Sequence, residues 1–293
     1  LAGAGGDRES YLLALDPGRG TVLEVLPVGN YAVRIVFDDL EVPLGTYAES
    51  KPTLSLLDES VVQAALPVRG RTAHKGRHGH VLVIGGAAGM GGAVHLAAAA
   101  ALRAGAGLVT VAAHPHSLGA LVSRPELMSL AVDGASAMER GFERATVLAL
   151  GPGLGQSPWA KETFDAALAA QKPVVVDADA LNLLALNPRK CEHWVLTPHP
   201  GEAARLLGVT ADDIQRDRLA AAAALQQRYG GVIVLKGAGS IVQVQARAGW
   251  LCDRGNPGMA VAGMGDVLTG VIAGFSEGIS TMKVGGKRTV YIP

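Results

Sequence analysis

Cysteine is scarce in this chain, with two in 293 residues. Cys191 and Cys252 are far apart and in no C-x-x-C pattern, which excludes a disulfide framework or a zinc ribbon. They read as buried or incidental thiols of a reducing, cytoplasmic compartment. Aromatic residues are only 4% of the chain, so its core is not built on large rings. Net charge is absent too: 26 basic and 26 acidic residues cancel, and no basic run stands out, which argues against nucleic acid as a partner. Long apolar runs are missing. Arg103 interrupts the longest Ala-rich stretch, well short of the roughly 20 residues a membrane span needs. No signal peptide is read, and a chain beginning at Leu1 rather than Met reads as a fragment of something longer.

Small and aliphatic residues are abundant. The chain is 49% hydrophobic with 39 glycines, a composition suited to helices packed closely on a sheet. In residues 1–50, short runs such as Tyr31 to Phe37 look like strands and carry no visible chemistry. A short helix is expected from Asp58 to before Pro67. A regular alternation comes next. Apolar strands are expected at 80–85, 108–113, 146–150, 173–177, 194–197, 232–235 and 241–245. Helices are expected at 92–103, after Ser157 with Pro158 in first position, from the Thr210/Asp213 capping box to about Arg228, and from near Gly265. Continuous apolar strands alternating with helices predict an α/β fold with a mostly parallel sheet covered on both faces. Ligands of such sheets bind at the carboxyl ends of the strands.

The loops at the strand ends are therefore where chemistry is expected. The stretch from Gly255 to Gly270 is a loop of small residues running into Asp266 and an apolar helix. Small residues let backbone N–H groups turn toward an anion, and the helix start adds free N–H groups and a positive dipole end. Asp266 is the one side chain in that stretch able to take a proton, so cradle and base together suit phosphoryl transfer onto a hydroxyl. A plain glycine turn with Asp266 as a helix cap is the bland alternative. Gly85 to Ala93 lacks the G-x-G-x-x-G spacing, and no acid closes the strand at Ala112-Ala113, which disfavours a hydride-transferring dinucleotide enzyme. That segment and Gly151-Pro152-Gly153-Leu154-Gly155 are open to two readings, tight packing or ligand contact. Asp177 and Asp179 put two acids at one strand end: Asp179 can cap the next helix, and the pair suggests a polar site that orders metal or water. His199, fixed between two prolines, reads as a ligand contact. Lys236-Gly237-Ala238-Gly239-Ser240 suits a nucleotide phosphate or ribose, a hairpin turn, or both, and it is not a Walker A loop.

In order and number these loops resemble the ADP-dependent NAD(P)H-hydrate dehydratases, over about Asp58 to Phe275. The resemblance is carried by His74-Lys-Gly76, His80 to Gly86, Ala101 to Gly107, Arg124-Pro-Glu-Leu-Met128, Gly151 to Gly155, Asp177 to Asn182, Thr197-Pro-His-Pro-Gly-Glu202, Lys236 to Gly239 and Gly263-Met-Gly-Asp266. It implies a ribokinase-like three-layer sandwich for residues 58–293, with residues 1–57 an N-terminal segment or worn tail of an upstream epimerase domain. The implied reaction is ADP-dependent dehydration of the S epimer of hydrated NADH or NADPH, releasing AMP and phosphate. Implied contacts to the hydrated dinucleotide are Ala93, Gly153, His199 and Asp266, with Asp266 at the reacting hydroxyl. Implied contacts to the nucleotide are Lys236, Gly237, Ala238, Gly239, Ser240 and Gly265. The resemblance further implies ADP as co-substrate, Mg²⁺ on its phosphates, no protein metal ligands and a homo-oligomer. A ribokinase-like small-molecule kinase and a non-catalytic nucleotide-binding remnant share the same device. Val261-Ala262 stand where the family has a small polar residue and glycine, and the chain lacks further helices after the catalytic one. Strain at a positive-φ Ala262, a catalytic helix short of packing partners, and slow turnover are the corresponding expectations.

Overall fold

Strands that are apolar along their whole length form the middle of the sheet. His80–Gly85 (β4), Val147–Leu150 (β7) and Val174–Val176 (β8) are buried throughout, as strands are when helices cover both faces. The computed structural model describes residues 22–28, 32–37, 54–57, 74–245 and 249–280, with side chains described between residues 54 and 275. Val22–Val28 (β1) and Ala32–Phe37 (β2) form an antiparallel pair of their own. The other strands are Leu54–Leu56 (β3), Leu108–Ala113 (β5), Met128–Ala131 (β6), Trp194–Leu196 (β9), Val232–Leu235 (β10), Ser240–Gln243 (β11) and Gly249–Cys252 (β12). Among the described residues they make one ten-stranded sheet in the order β3-β12-β11-β10-β9-β8-β7-β4-β5-β6. Pairing is parallel from β10 through to β6, and antiparallel from β10 to β11 to β12. β3, from the N-terminal segment, joins as the parallel neighbour of β12.

Strand order reverses between β4 and β7. The chain runs outward from β4 through β5 to β6, then returns to β7 on the other side of β4. That reversal opens a crevice at the carboxyl ends, where ligands of open α/β sheets bind. Alternate residues of β4 face opposite layers: Val81 and Val83 belong to one apolar cluster, Leu82 and Ile84 to the other. The first cluster takes in Gly91–Ala104 (α1) and Met264–Ser280 (α8). The second takes in Pro158–Ala169 (α3), Asp179–Leu186 (α4), Pro200–Leu207 (α5) and Arg218–Tyr229 (α7). Glu139–Arg144 (α2) and Ala211–Arg216 (α6) complete the set. This is the expected three-layer α/β sandwich.

Ser157 caps α3 through the Ala160 N–H with Pro158 at its first position, as read from the sequence. The Thr210/Asp213 capping box is also present, but its helix is not one long element. Asp217 leaves helical geometry at φ −144°, ψ 84°, ends α6, and accepts the Ala220 N–H as the cap of α7. An aspartate that can hydrogen-bond nearby backbone offers the chain an alternative to continuing the helix. The helix expected from Asp58 to Pro67 lies outside the described residues.

α8 has packing partners, contrary to expectation. A Cβ added at Gly270 would stand 2.0 Å from the Ala97 carbonyl oxygen, and one at Gly274 2.3 Å from that of Ala101. Glycine therefore lets α8 rest directly on the backbone of α1. Thr269, Ile272 and Ala273 are buried in this contact.

Candidate active site at the carboxyl edge of the sheet

The loops after β4, β7, β8, β9 and β10 and the loop before α8 leave the same edge of the sheet, whereas His74–Gly76 and Gly105–Gly107, which lead into β4 and β5, meet at the opposite edge. After β4, the Gly86 N–H donates to the Pro152 carbonyl (2.9 Å) and the Ala87 N–H to that of Gly153 (2.7 Å), so the loops after β4 and β7 lie side by side. Packing accounts for Gly85, where a Cβ would meet the Pro152 oxygen at 2.1 Å. It does not account for Gly89 or Gly92, which face open space. A Cβ at Gly153 would stand 3.1 Å from that of Ala93, which brings these two residues together on the crevice wall. The loop before α8 reaches the same wall: Gly263, at φ +88°, lies against Leu96 on α1.

Asp177 ends β8 and is 1% exposed. Its Oδ1 accepts from the Lys236 ammonium at 2.6 Å, and its Oδ2 accepts from the Thr269 hydroxyl on α8 at 2.6 Å. Lys236, at the end of β10, also lies 3.6 Å from Glu202 Oε2. Burial pulls the ammonium down, but the carboxylates of Asp177 and Glu202 outweigh it and hold it above the usual lysine value. Burial pushes the Glu202 carboxyl up, because an ammonium at 3.6 Å returns less than desolvation removes. Ala178, next to Asp177, sits at φ 50°, ψ −122°, a strained conformation for a residue with a Cβ.

Gly265 opens toward this cluster. A Cβ there would lie 3.6 Å from both Asp177 Oδ2 and Lys236 Nζ. In the first turn of α8 the N–H groups of Met264 and Val267 bond to Val261 and Gly263. Those of Gly265 and Asp266 have no acceptor among the described residues, which leaves two donors and the dipole end for an anion. Asp266 is half-buried. Desolvation first, then the Asp177 carboxylate, push its carboxyl up to about 6, with Asp179 adding to the shift and Lys236 opposing it. A carboxylate that is ionised at neutral pH yet more basic than usual suits a general base.

Chains with these loops in this order are known. Residues 81–278 match the family described as NAD(P)H-hydrate dehydratase. The chain belongs to that family. It is 47% identical over 259 residues to the bifunctional NAD(P)H-hydrate repair enzyme Nnr of Coxiella burnetii, covering 88% of this chain and 53% of that protein. It is 40% identical to the ADP-dependent (S)-NAD(P)H-hydrate dehydratase of Neisseria meningitidis, covering 70% of this chain and 71% of that one. The chain thus spans about half the length of the bifunctional relatives it matches. Among solved structures, the ADP/ATP-dependent NAD(P)H-hydrate dehydratase from Bacillus subtilis, co-crystallised with ATP and Mg²⁺, superposes with a TM-score of 0.67 at 31% identity, covering 75% of this chain and 80% of that one. A ribokinase-like superfamily protein from Enterococcus faecalis gives 0.71 at 31% identity, covering 77% and 80%.

Residues picked out by the dehydratase resemblance fall into two linked groups. Ala93 and Gly153 form one wall. Gly265, Asp266 and Lys236 gather around Asp177. His199 joins the second group through Glu202, whose Oε1 is 3.4 Å from its Nε2. His199 also has a structural role as the N-cap of α5: its Nδ1 accepts the Gly201 and Glu202 N–H groups, and Glu202 Oε2 accepts the His199 N–H. Those bonds place the ring proton on Nε2. Burial, then the cations of Lys236 and Arg205, push its pKa down against the opposing pull of Asp177. The ring is half exposed and remains open to a ligand. Residues 236–239 turn between β10 and the antiparallel β11, so the hairpin reading holds. Ser240 Oγ donates back to the Gly237 carbonyl at 3.0 Å. Beneath the hairpin the Arg218 guanidinium donates to the carbonyls of Ala238 (2.8 Å) and Leu235 (3.2 Å). Gly255 lies against Ala238 and Gly239, so the loop before α8 and the hairpin meet.

Two sequence readings are corrected. Asp179 does not cap α4: Ala178 holds the N-cap position, and Asp179 Oδ2 accepts the Gly155 N–H at 2.8 Å. Ala262 does not adopt a positive φ, since Gly263 carries that conformation. Lys236 is paired with the carboxylates of Asp177 and Glu202. Sequence reasoning left Glu202, Thr269 and Arg218 without roles. The spacing His199-x-x-Glu202 signals a capping box, and Thr269 lies three residues after Asp266 on one helix face. No comparable signal points to Arg218.

Proposed function

We propose that this chain catalyses the ADP-dependent dehydration of the S epimer of hydrated NADH or NADPH, returning NADH or NADPH with AMP and phosphate. The observation that carries the reading is Asp266 at the open N-terminus of α8, with its carboxyl raised to about 6 beside two unpaired backbone N–H groups. Hydroxide is a poor leaving group. Asp266 takes the proton of the C6 hydroxyl, and the oxygen attacks the β-phosphorus of ADP. The bond from that phosphorus to the bridging oxygen breaks and AMP departs. The ring nitrogen lone pair then expels phosphate from C6, and loss of a proton from C5 restores the double bond. The Gly265 and Asp266 N–H groups face the charge that builds on the moving phosphoryl group. Ala93, Gly153 and His199 hold the dinucleotide, and the 236–240 hairpin with Gly265 holds the nucleotide.

Magnesium accompanies this chemistry through the nucleotide. Among the described residues no group of three or more His, Cys, Asp or Glu side chains is placed to hold a metal ion. When bound to the nucleotide, magnesium would neutralise phosphate charge. No helix among the described residues is long and apolar enough to cross a membrane. Both cysteines are free, in keeping with work in a reducing cytoplasm. We also assign β3 to the dehydratase domain, which moves its boundary N-terminal of residue 58.

Hydrated NADH incubated with ADP and Mg²⁺ tests the proposal. Return of reduced-nicotinamide absorbance with one AMP per turnover is expected. A stable phosphorylated product would instead mark a kinase, and binding without turnover a non-catalytic protein.

A further inference from the structure

We infer that Asp177 is the positioning residue of this site: its two carboxylate oxygens tie the catalytic helix α8, through Thr269, to the nucleotide-binding hairpin, through Lys236, and so fix where and in what field the Asp266 carboxylate works. The inference rests on the dehydratase reading for the role of Asp266.

The geometry is specific. Asp177 is held from behind, with its N–H on the Leu150 carbonyl (3.0 Å) and its own carbonyl accepting the Ala180 N–H (3.1 Å). The segment is clamped at Gly151, where a Cβ would stand 1.9 Å from the Asp177 carbonyl oxygen, and Ala178 is strained beside it. Its side chain is thus anchored to the sheet while each oxygen reaches a different element. The Thr269 hydroxyl, also 3.1 Å from the Gly265 carbonyl, gives its proton to Asp177 at 2.6 Å. Thr269 is three residues beyond Asp266 on the same face of α8. A buried ion pair is seldom the cheapest way to fill a core, so its presence under the anion cradle calls for a further purpose. Among the described residues, three charged side chains act on Asp266: Asp177 after β8, Asp179 at the start of α4, and Lys236 after β10. Removing the negative charge at 177 leaves Lys236 less compensated and Asp266 easier to ionise.

Two variants and two readouts decide it. Asp177→Asn should move the acid limb of the kcat/KM profile down by about one pH unit, the scale expected when a nearby like charge is removed. Thr269→Val keeps the charge and cuts the tether. It should leave the midpoint in place and lower kcat about tenfold with little change in KM for ADP, and Thr269→Ser should restore it. A folded Asp177→Asn with an unmoved midpoint overturns the inference. Should Asp177→Asn not fold, wild-type kcat in Thr269→Val overturns it. Titration of the Asp266 carboxyl by ¹³C NMR, assigned with Asp266→Asn, reads the same downward shift without substrate. A chain that fails to turn over hydrated NADH would refute the dehydratase reading while this titration still decides the role of Asp177.

Discussion

Burial and the Asp177 carboxylate raise the Asp266 carboxyl to about 6, and that displacement has a sign. Unfolded, the group titrates at about 4. Between those values the folded chain holds the proton more tightly, so stability falls as pH rises through the window, and the full burden is present above it. Asp266→Asn should therefore melt at a higher temperature than wild type at pH 7–8, with the difference shrinking as pH falls through 6 toward 4. The same substitution should cost on the order of 10²–10⁴ in turnover while leaving ADP binding intact. Wild-type activity should fade below about pH 6 as the base becomes protonated. Calorimetry and a pH–rate profile check these outcomes, and near-normal turnover in the variant would remove Asp266 from the mechanism. Ala178 offers a second case. Positive-φ strain of about 1–3 kcal/mol is relieved by Ala178→Gly, against about 0.5–1 kcal/mol of glycine entropy. A small rise in melting temperature is expected, and a fall would show that Ala178 is not strained.

Among the elements, the seam between α8 and α1 is the most demanding. Gly270→Ala would push a methyl group to 2.0 Å from a backbone oxygen, which no rotamer can relieve. Overpacking of this kind costs typically about 1–3 kcal/mol, and a displacement of α8 carries Asp266 with it, so kcat should fall by up to roughly 10². Gly119→Ala, where the Cβ meets nothing within 4 Å, is the control: it should leave the rate unchanged and, by removing glycine entropy from the unfolded chain, raise stability by about 0.4–1 kcal/mol rather than lower it. The helices α1, α3, α6 and α8 and most strands were legible because apolar runs and caps are local signals, whereas the short α2 and α5 were not read as helices. Ser157-Pro158 and Thr210/Asp213 announced their helices directly. Asp217 was not legible as a break, since an aspartate in an amphipathic run reads as a solvated face until its carboxylate is seen on the Ala220 N–H.

For the molecule as a whole, the chemistry-bearing loops were legible as motifs because each comes after a strand, and parallel topology delivers them all to one edge. Their wiring was not. Asp177 and Thr269 are 92 residues apart, and Lys236 and Asp177 are 59 apart, distances over which no periodicity or spacing rule speaks. The same gap explains why Val261-Ala262 looked damaging. With the positive φ at Gly263, Ala262 needs no special backbone, so Ala262→Gly should leave turnover within about twofold of wild type. A severalfold gain in a side-by-side assay would restore the view that the loop is impaired. The seam of α8 on α1 has one more consequence. α1 carries Ala93, against which the dinucleotide is proposed to rest, and α8 carries the base. Because the two helices touch main chain to main chain at Gly270 and Gly274, peptide geometry sets the spacing between the helix that bears the substrate wall and the helix that bears the base, and the Asp177 tether then has only the open end of α8 left to orient.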